Sequence, residues 1–323
     1  MRRHLNPRYR ELLGILSDGR FHSGTELGEK MSTSRTTIAK YVRRLQDMGL
    51  DIYVVKGKGY ALPESVELLD EDRINSEVGG APVKVFDMID STNSYMMSYL
   101  DNFEIGSCIL AETQTRGVGR ANSVWISPFA CQVIISMYWR MNPSVITGLS
   151  LAVGVATIRA LEKFGVGDLA LKWPNDIYFN NRKLAGILVE SRSTMDEKFH
   201  VVVGTGLNVI CSKSLNQNCD GAITLGEIIG PGKISRNELI ITLIKEYRSL
   251  MTEFEVNGFA LYHQEWNDRD LYRGERVKLV NKISGETIVE GVEYGIDSRG
   301  RILIKNSRGA LEAFNVGDVS LQY

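Results

Sequence analysis

The stretch Leu171-Lys172-Trp173-Pro174-Asn175-Asp176-Ile177-Tyr178-Phe179-Asn180-Asn181-Arg182-Lys183-Leu184-Ala185-Gly186-Ile187-Leu188-Val189-Glu190 constrains the fold of this chain more than any other. Two apolar runs of strand length, Asp168 to Trp173 and Leu184 to Glu190, flank a short segment in which Pro-Asn-Asp makes one turn and Asn180-Asn181 makes a hairpin. The pattern is a sheet edge loaded with polar groups. Lys172 and Lys183 lie where the chain becomes buried, and a lysine is seldom fully buried unless an anion pairs with it. Two cations and a carboxylate around a turn suit an anionic substrate such as a nucleotide with its metal ion. Gly186 interrupts a β-branched run, where a missing side chain often marks close approach of a ligand or backbone. On spacing alone, a plain hairpin whose lysines reach solvent fits as well.

A chain of 323 residues, 43% hydrophobic and 24% charged, has room for two or three packed domains. It starts Met1-Arg2-Arg3-His4 with no apolar run behind, and no window approaches a membrane span, so a cytoplasmic protein without membrane partners is expected. Cys108, Cys131, Cys211 and Cys219 have no CxxC spacing and read as free thiols. The net charge of -1 hides an asymmetry: residues 1 to 60 hold 12 Lys and Arg against 6 Asp and Glu, leaving 26 against 33 elsewhere. A basic head on an acidic body points to nucleic acid for the head alone, with a protein-protein or regulatory module as the alternative that the charge disfavours.

That head has the matching pattern. Pro7 to Leu16 reads as a short amphipathic helix, and Ser23 caps a second over Gly24 to Met31 with Glu26 at capping-box spacing. A third helix, from Ser34 to Gly49, buries Ile38, Val42 and Leu45. Its start offers Ser34, Arg35, Thr36, Thr37, Lys40 and Tyr41 as candidate DNA contacts, as in a recognition helix. Ile52 to Val55 and the basic tip Lys56-Gly57-Lys58-Gly59-Tyr60 add a wing. Residues 1–63 form this winged helix-turn-helix, and 64–80, with an acidic run and one helical segment near Asp72 to Val78, form a linker.

Residues 81–270 form the central domain. Strands are expected at Val83 to Phe86, Ser107 to Glu112, Val133 to Trp139 and Phe199 to Gly204, with an apolar core helix over Ser144 to Phe164 and a capped helix from Ser235 to about Asn257. Asp90-Ser91-Thr92-Asn93 is a helix N-cap. Gln114-Thr115-Arg116-Gly117-Val118-Gly119-Arg120 interleaves glycine with arginine, a loop able to close its backbone over phosphates. Cys211 to Gly221 reads as a flexible cover. From Leu271 short β runs separated by glycine turns make residues 271–323 a small barrel.

Lys-Trp-Pro-Asn-Asp followed by Arg-Lys-Leu-Ala-Gly-Ile-Leu-Val-Glu resembles the signature of the biotin protein ligases. The order of segments resembles the bifunctional bacterial form, a biotin operon repressor with ligase activity. The resemblance implies an α+β protein: a winged helix-turn-helix, a central ligase domain on a mixed sheet, and an SH3-like barrel. It implies biotin and ATP, with Mg2+ arriving with ATP, as the small molecules. It further implies a biotin carboxyl carrier protein as acceptor, operator DNA, and a homodimer when adenylate is bound. On this resemblance Lys183 holds the carboxylate and Arg120 closes the lid, both catalytic. Ser91, Thr92, Asn93 and Gln114 read the ureido ring, while Gly117, Val118, Gly119, Trp125 and Gly186 complete the biotin pocket. Lys172, Asn175, Asp176 and, from Gly204-Thr205-Gly206-Leu207-Asn208, Asn208 serve ATP. The family's lid runs Gly-Arg-Gly-Arg-x-Gly-Arg. Here Gly117, Gly119 and Arg120 match, but Val118 replaces the first arginine and Asn122-Ser123 the final Gly-Arg. A lipoate ligase and a non-catalytic biotin-sensing repressor remain open as alternatives.

Gly230-Pro231-Gly232-Lys233-Ile234-Ser235 fails as a P-loop, because isoleucine follows Gly-Lys. His4, His22, His200 and His263 show no pair at metal spacing, so no metal site of the protein's own is expected.

Overall fold

Asn6 opens the first helix, α1 (Pro7–Leu16), by accepting a hydrogen bond from the Arg8 amide, and Leu12, Leu13 and Leu16 bury its inner face. Ser23 and Ser34 cap α2 (Gly24–Lys30) and α3 (Arg35–Asp47) in the same way. The wing is β1 (Tyr53–Val55) and β2 (Gly59–Ala61), and Gly59 lies so close to His22 that a Cβ would fall 2.0 Å from the His22 carbonyl oxygen. The structure, a computed structural model, describes residues 6–193, 198–210, 221–281, 284–315 and 319–322. Residues 211–220, read above as a cover, and with them Cys211 and Cys219, lie outside the described residues, as does His4.

Residues 64–80, expected to be a linker, are a packed strap. Val66, Leu69 and the Ile74 of α4 (Glu71–Val78) are buried, and Ser17 Oγ donates to the Val66 carbonyl at 3.0 Å. One carboxylate of the strap is engaged by a distant helix start: Glu67 accepts from Ser235 Oγ at 2.9 Å and from Asn237 Nδ2 at 2.8 Å. Composition reads as a linker here because the Glu67 carboxylate faces helix-end donors that only the fold supplies.

The central sheet has seven strands in the order β3-β4-β7-β11-β10-β9-β8. These are β3 (Val83–Phe86), β4 (Cys108–Ala111), β7 (Gln132–Met141), β8 (Ala170–Lys172), β9 (Asp176–Phe179), β10 (Arg182–Ser193) and β11 (Phe199–Asn208). A separate two-stranded hairpin, β5 (Gly117–Val118) and β6 (Val124–Trp125), stands over it. Only β3 and β4 pair in parallel; the other neighbours are antiparallel, so the sheet is mixed. The opening stretch is the end of this sheet, with β8 at the edge and Asn180 and Asn181 both left-handed (φ 47° and 60°) in the hairpin turn.

Alternation along β7 divides the two faces. Val133, Ile135 and Met137 enter the main core, whereas Ile134 and Tyr138 join Met96 of α5 (Thr92–Ser98) on the other side. The main core is covered by α6 (Leu149–Glu162), α7 (Leu225–Ile229), α8 (Arg236–Asn257) and α9 (His263–Asp268). Helix α6 starts later than its apolar run predicts. Gly148, expected inside it, is its N-cap at φ 82°, where a Cβ would strike Phe259 at 2.6 Å. Arg236 and Glu112, both buried, pair at 2.8 Å and tie α8 to the sheet.

The C-terminal unit is a five-stranded antiparallel sheet, β15-β14-β13-β12-β16: β12 (Arg276–Asn281), β13 (Thr287–Ile296), β14 (Ile302–Asn306), β15 (Leu311–Phe314) and β16 (Val319–Gln322). Strand β15 has mostly exposed residues and lacks an apolar face of its own. Trp173 docks this unit, its indole donating to the Gly300 carbonyl at 3.1 Å.

Candidate active site

The α5 face of the sheet carries two consecutive rungs that form a pocket floor. Ile134, Gly206, Gly186 and Asp176 lie side by side across β7, β11, β10 and β9, and Ser136, Gly204 and Leu188 make the next rung. The glycines hollow the floor. The Trp125 indole fills one hollow, since a Cβ on Gly206 would fall 2.4 Å from its ring and one on Gly186 3.2 Å away. Asn93 fills the other, its Oδ1 standing 2.2 Å from where a Gly204 Cβ would be. The two glycines of Gly204-Thr205-Gly206 thus seat side chains of the site itself.

At one end lies a network of buried hydroxyl and amide groups. Gln114 Oε1 accepts from the Thr92 amide at 2.8 Å and from Thr92 Oγ1 at 3.1 Å. Ser136 Oγ stands 2.7 Å from Thr92 Oγ1 and 2.5 Å from Asn93 Oδ1, and Asn93 Nδ2 donates to Glu190 at 2.9 Å. Ser91 caps α5 beside them. These groups are built to recognise a small polar head.

At the other end Lys183 Nζ pairs with Asp176 Oδ1 at 2.7 Å and stands 5.7 Å from the Trp125 ring centroid. A bulge between Lys183 and Ala185 breaks the β9–β10 register at this lysine. Asn175 is pinned across the same hairpin, its amide donating to the Ile187 carbonyl at 2.7 Å, and Arg120 Nη1 reaches Asn175 Oδ1 at 3.5 Å. Arg120 comes from the lid turn between β5 and β6, where Gly119 donates to the Ser123 carbonyl at 2.7 Å. Asn122, where the family pattern has glycine, is left-handed at φ 56°, a conformation asparagine tolerates better than most residues.

Ser91, Thr92, Asn93, Gln114, Val118, Gly119, Arg120, Trp125, Asn175, Asp176, Lys183 and Gly186 all line one pocket. Gly117 pairs with Trp125 in the lid hairpin. Two expected residues stand apart. Asn208 is buried; its oxygen accepts from Gln132 at 2.8 Å, and its amide donates to the carbonyls of Lys183 at 3.3 Å and Ile223 at 3.1 Å. It holds the backbone of Lys183 rather than facing the pocket. Lys172 projects between Tyr178 and Tyr272, 5.3 Å from each ring centroid. Burial first, and the Asp176 carboxylate second, push the Tyr178 phenol above its ordinary range.

Sequence reasoning missed Ser136 and Gln132. Each is a polar residue within the apolar strand β7, and that interruption was the available signal. Gln132 accepts from the Trp125 indole at 3.2 Å, joining the lid to Asn208. Among the described residues no group of three or more His, Cys, Asp or Glu side chains stands at metal spacing.

On the basic module, Ser34, Arg35, Thr36 and Lys40 are exposed, and Thr37 is half-buried with its hydroxyl 2.9 Å from Ser34 Oγ. Tyr41 packs edge-on against Tyr9, centroids 5.1 Å apart, and so serves the seam between α1 and α3.

Three family descriptions match in chain order: an HTH domain over residues 8–61, the biotin/lipoate A/B protein ligase family over 85–208, and the biotin protein ligase C-terminal domain over 273–322. This defines the class, a ligase of the biotin and lipoate type with a helix-turn-helix module in front. Whole-chain relatives narrow it. The chain is 38% identical over 317 residues to the bifunctional ligase/repressor BirA of Salmonella typhimurium, covering 96% of both. It is 37% identical over 318 residues to that of Escherichia coli, covering 97% of this chain and 96% of the relative. The biotin protein ligase of Aquifex aeolicus, solved in complex with biotin and ATP, superposes with a TM-score of 0.64 at 28% identity, covering 74% of this chain and 98% of the other. The chain belongs to the biotin protein ligase family, in its bifunctional ligase/repressor form.

Proposed function

We propose that this pocket holds biotin with its ureido ring against Ser91, Thr92, Asn93 and Gln114 and its carboxylate at Lys183, and that ATP meets it from the side of Asn175, Asp176 and Arg120. The observation that carries the reading is the polarity of the cavity: a neutral hydrogen-bonding end and a cationic end on one glycine-hollowed floor. The biotin carboxylate attacks the α-phosphorus, the bond to the β-phosphate oxygen breaks, and pyrophosphate leaves with the electron pair. A lysine of a carboxyl carrier protein then displaces AMP from the mixed anhydride. The ion pair with Asp176 keeps Lys183 aimed where negative charge gathers, Asn208 fixes its backbone, and Trp125 closes the apolar wall. Magnesium is assigned to the incoming triphosphate, with Asp176 and Asn175 the oxygen-bearing side chains beside it.

The winged helix is assigned to operator DNA through Arg35, Thr36 and Lys40, and adenylate-bound chains to a homodimer acting in the cytoplasm. No helix among the described residues is long and apolar enough to cross a membrane. A lipoate ligase is disfavoured by the whole-length likeness to bifunctional relatives, as is a sensor that never catalyses.

Lys183→Ala tests the reading. A charge-assisted contact to an anion contributes about 1.5–3 kcal/mol, so adenylate formation falls about tenfold to a hundredfold or more while the melting temperature holds. Unchanged adenylation would remove Lys183 from the site.

A further inference from the structure

A second cleft opens directly off the pocket, sharing Arg120 and Ile187 with it, and runs between the start of α6 and the turn joining β13 to β14. Three arginines line it, Arg120 from the lid and Arg299 and Arg301 from the barrel turn, and no lining residue is acidic.

The turn that carries the last two is firmly held. Asp297 Oδ1 accepts from the amides of Arg299 and Arg301, both at 2.9 Å, and its other oxygen accepts from Arg301 Nε at 2.7 Å. Gly300, at φ 73°, presses against α6, where a Cβ would meet Leu151 at 2.7 Å, and its carbonyl accepts from Trp173. Trp173 belongs to the same short motif as Asn175 and Asp176, so one segment positions both the pocket wall and the barrel's arginines. Arg301 shares its charge with Asp297. Arg299 is exposed, and among the described residues no ion pair engages it.

We propose that this cleft receives the pyrophosphate portion of the nucleotide, and that Arg299, with Arg301 behind it, replaces the charge that the lid lacks at Val118 and Ser123. The inference rests on the adenylating function proposed above and specifies where its leaving group goes. As the bond between the α-phosphorus and the bridging oxygen breaks, the electron pair and the growing negative charge move onto pyrophosphate. A rigid arginine turn stabilises that charge without reorganising. A lid arginine must wait for the lid to close. The barrel turn is docked beforehand, and lid closure adds only Arg120.

The test uses the full-length protein and inorganic pyrophosphate as probe. Preformed biotinyl-adenylate on the enzyme is mixed with pyrophosphate, and the regenerated ATP is measured in wild type, Arg299→Ala, Arg299→Lys, and Arg299→Ala carrying Val118→Arg. Loss of one charge-assisted contact raises the half-saturating pyrophosphate concentration about tenfold or more in Arg299→Ala. Lysine at 299 recovers part of the loss, and an arginine at 118 recovers it from the lid side. The half-saturating biotin concentration stays within about twofold. Unchanged pyrophosphate and ATP dependence in Arg299→Ala overturns the proposal, as does an effect confined to the carrier protein, which would assign the cleft to the acceptor. An equal loss for every substrate with a lowered melting temperature also overturns it. A wild-type chain that makes no adenylate refutes instead the function on which the proposal rests.

Discussion

Gly206→Ala isolates the seat of the lid. Gly206 has ordinary extended backbone, so alanine costs nothing there in conformation; its closest conflict is with Trp125, whose ring atoms would lie 2.4, 2.5 and 2.7 Å from the new methyl. Carbon atoms rest about 3.5–4.0 Å apart, so the indole must retreat by about 1 Å or more. That shift strains the 3.2 Å bond from its Nε1 to Gln132, and overpacking of this kind costs about 1–3 kcal/mol. The cost falls on lid closure rather than on the fold, because β5 and β6 pair with each other and stand apart from the main sheet. Biotin affinity and adenylate half-life therefore fall about tenfold to a hundredfold. Gly186→Ala is the milder comparison for the indole: its methyl would meet Trp125 at 3.2 Å, with Asp176 Oδ1 and Lys183 Cε each at 3.3 Å, so it displaces the ring far less while also touching the ion pair. Acrylamide quenching reads the displacement directly, since Trp139, Trp173 and Trp266 are buried and Trp125 is the half-buried tryptophan. In a Trp125→Ala background the Gly206→Ala change adds no further loss. Equal quenching in the two single glycine variants would refute the seat.

Three further outcomes follow from the same structure. Arg35→Ala and Lys40→Ala weaken operator binding and flatten its salt dependence by about one ion each if each meets a phosphate, measured by fluorescence anisotropy across salt; a slope unchanged in both would remove them from the interface. Burial lowers the affinity of His22 for a proton, but its bonds to Asp18 and Glu26, 3.0 Å each, outweigh that and leave its pKa above 6.5. The folded state thus holds the proton more tightly, so the stability that protonated His22 contributes is full below pH 6.5 and lost as pH rises through the raised value. The melting temperature of His22→Gln should differ from wild type most at the acid end, and a constant difference would discount the pair. Finally, desolvation first and the Asp270 carboxyl second push Glu293 upward, in a buried pair at the junction with the barrel. Its unfolded form ionises first as pH rises, so Glu293→Gln should stabilise the protein more at about pH 9 than at about pH 6 by thermal melting; an equal gain at both would rule out the upward shift.

Much of this molecule was legible in its sequence because the deciding interactions are local. Helix caps at Ser23, Ser34, Ser91 and Ser235 each act within three residues, and Asn180-Asn181 needs nothing but its own backbone to turn. The basic head, the barrel and the polar ends of the pocket follow from spacing or from motif resemblance, and all but two of the expected small-molecule residues converge on the pocket or its lid. What sequence could not decide depends on register between distant strands. Glycines at 186, 204 and 206 look alike in the chain; only the rungs across β10 and β11 show that they hollow one floor for Trp125 and Asn93. Asn208 sits in a nucleotide-like motif, yet the pairing of β11 with β7 turns its amide inward to Gln132 and Lys183. The strap at 64–80 reads as a linker because its Glu67 carboxylate finds Ser235, Arg236 and Asn237 some 170 residues away in sequence. Arg299 and Arg301 carry no motif, and it is the docking of Gly300 on Trp173 that holds them at the cleft beside the pocket. Caps and turns are set by a few neighbouring dihedrals, whereas which side chain faces a ligand is set by packing between elements that meet only in the folded chain.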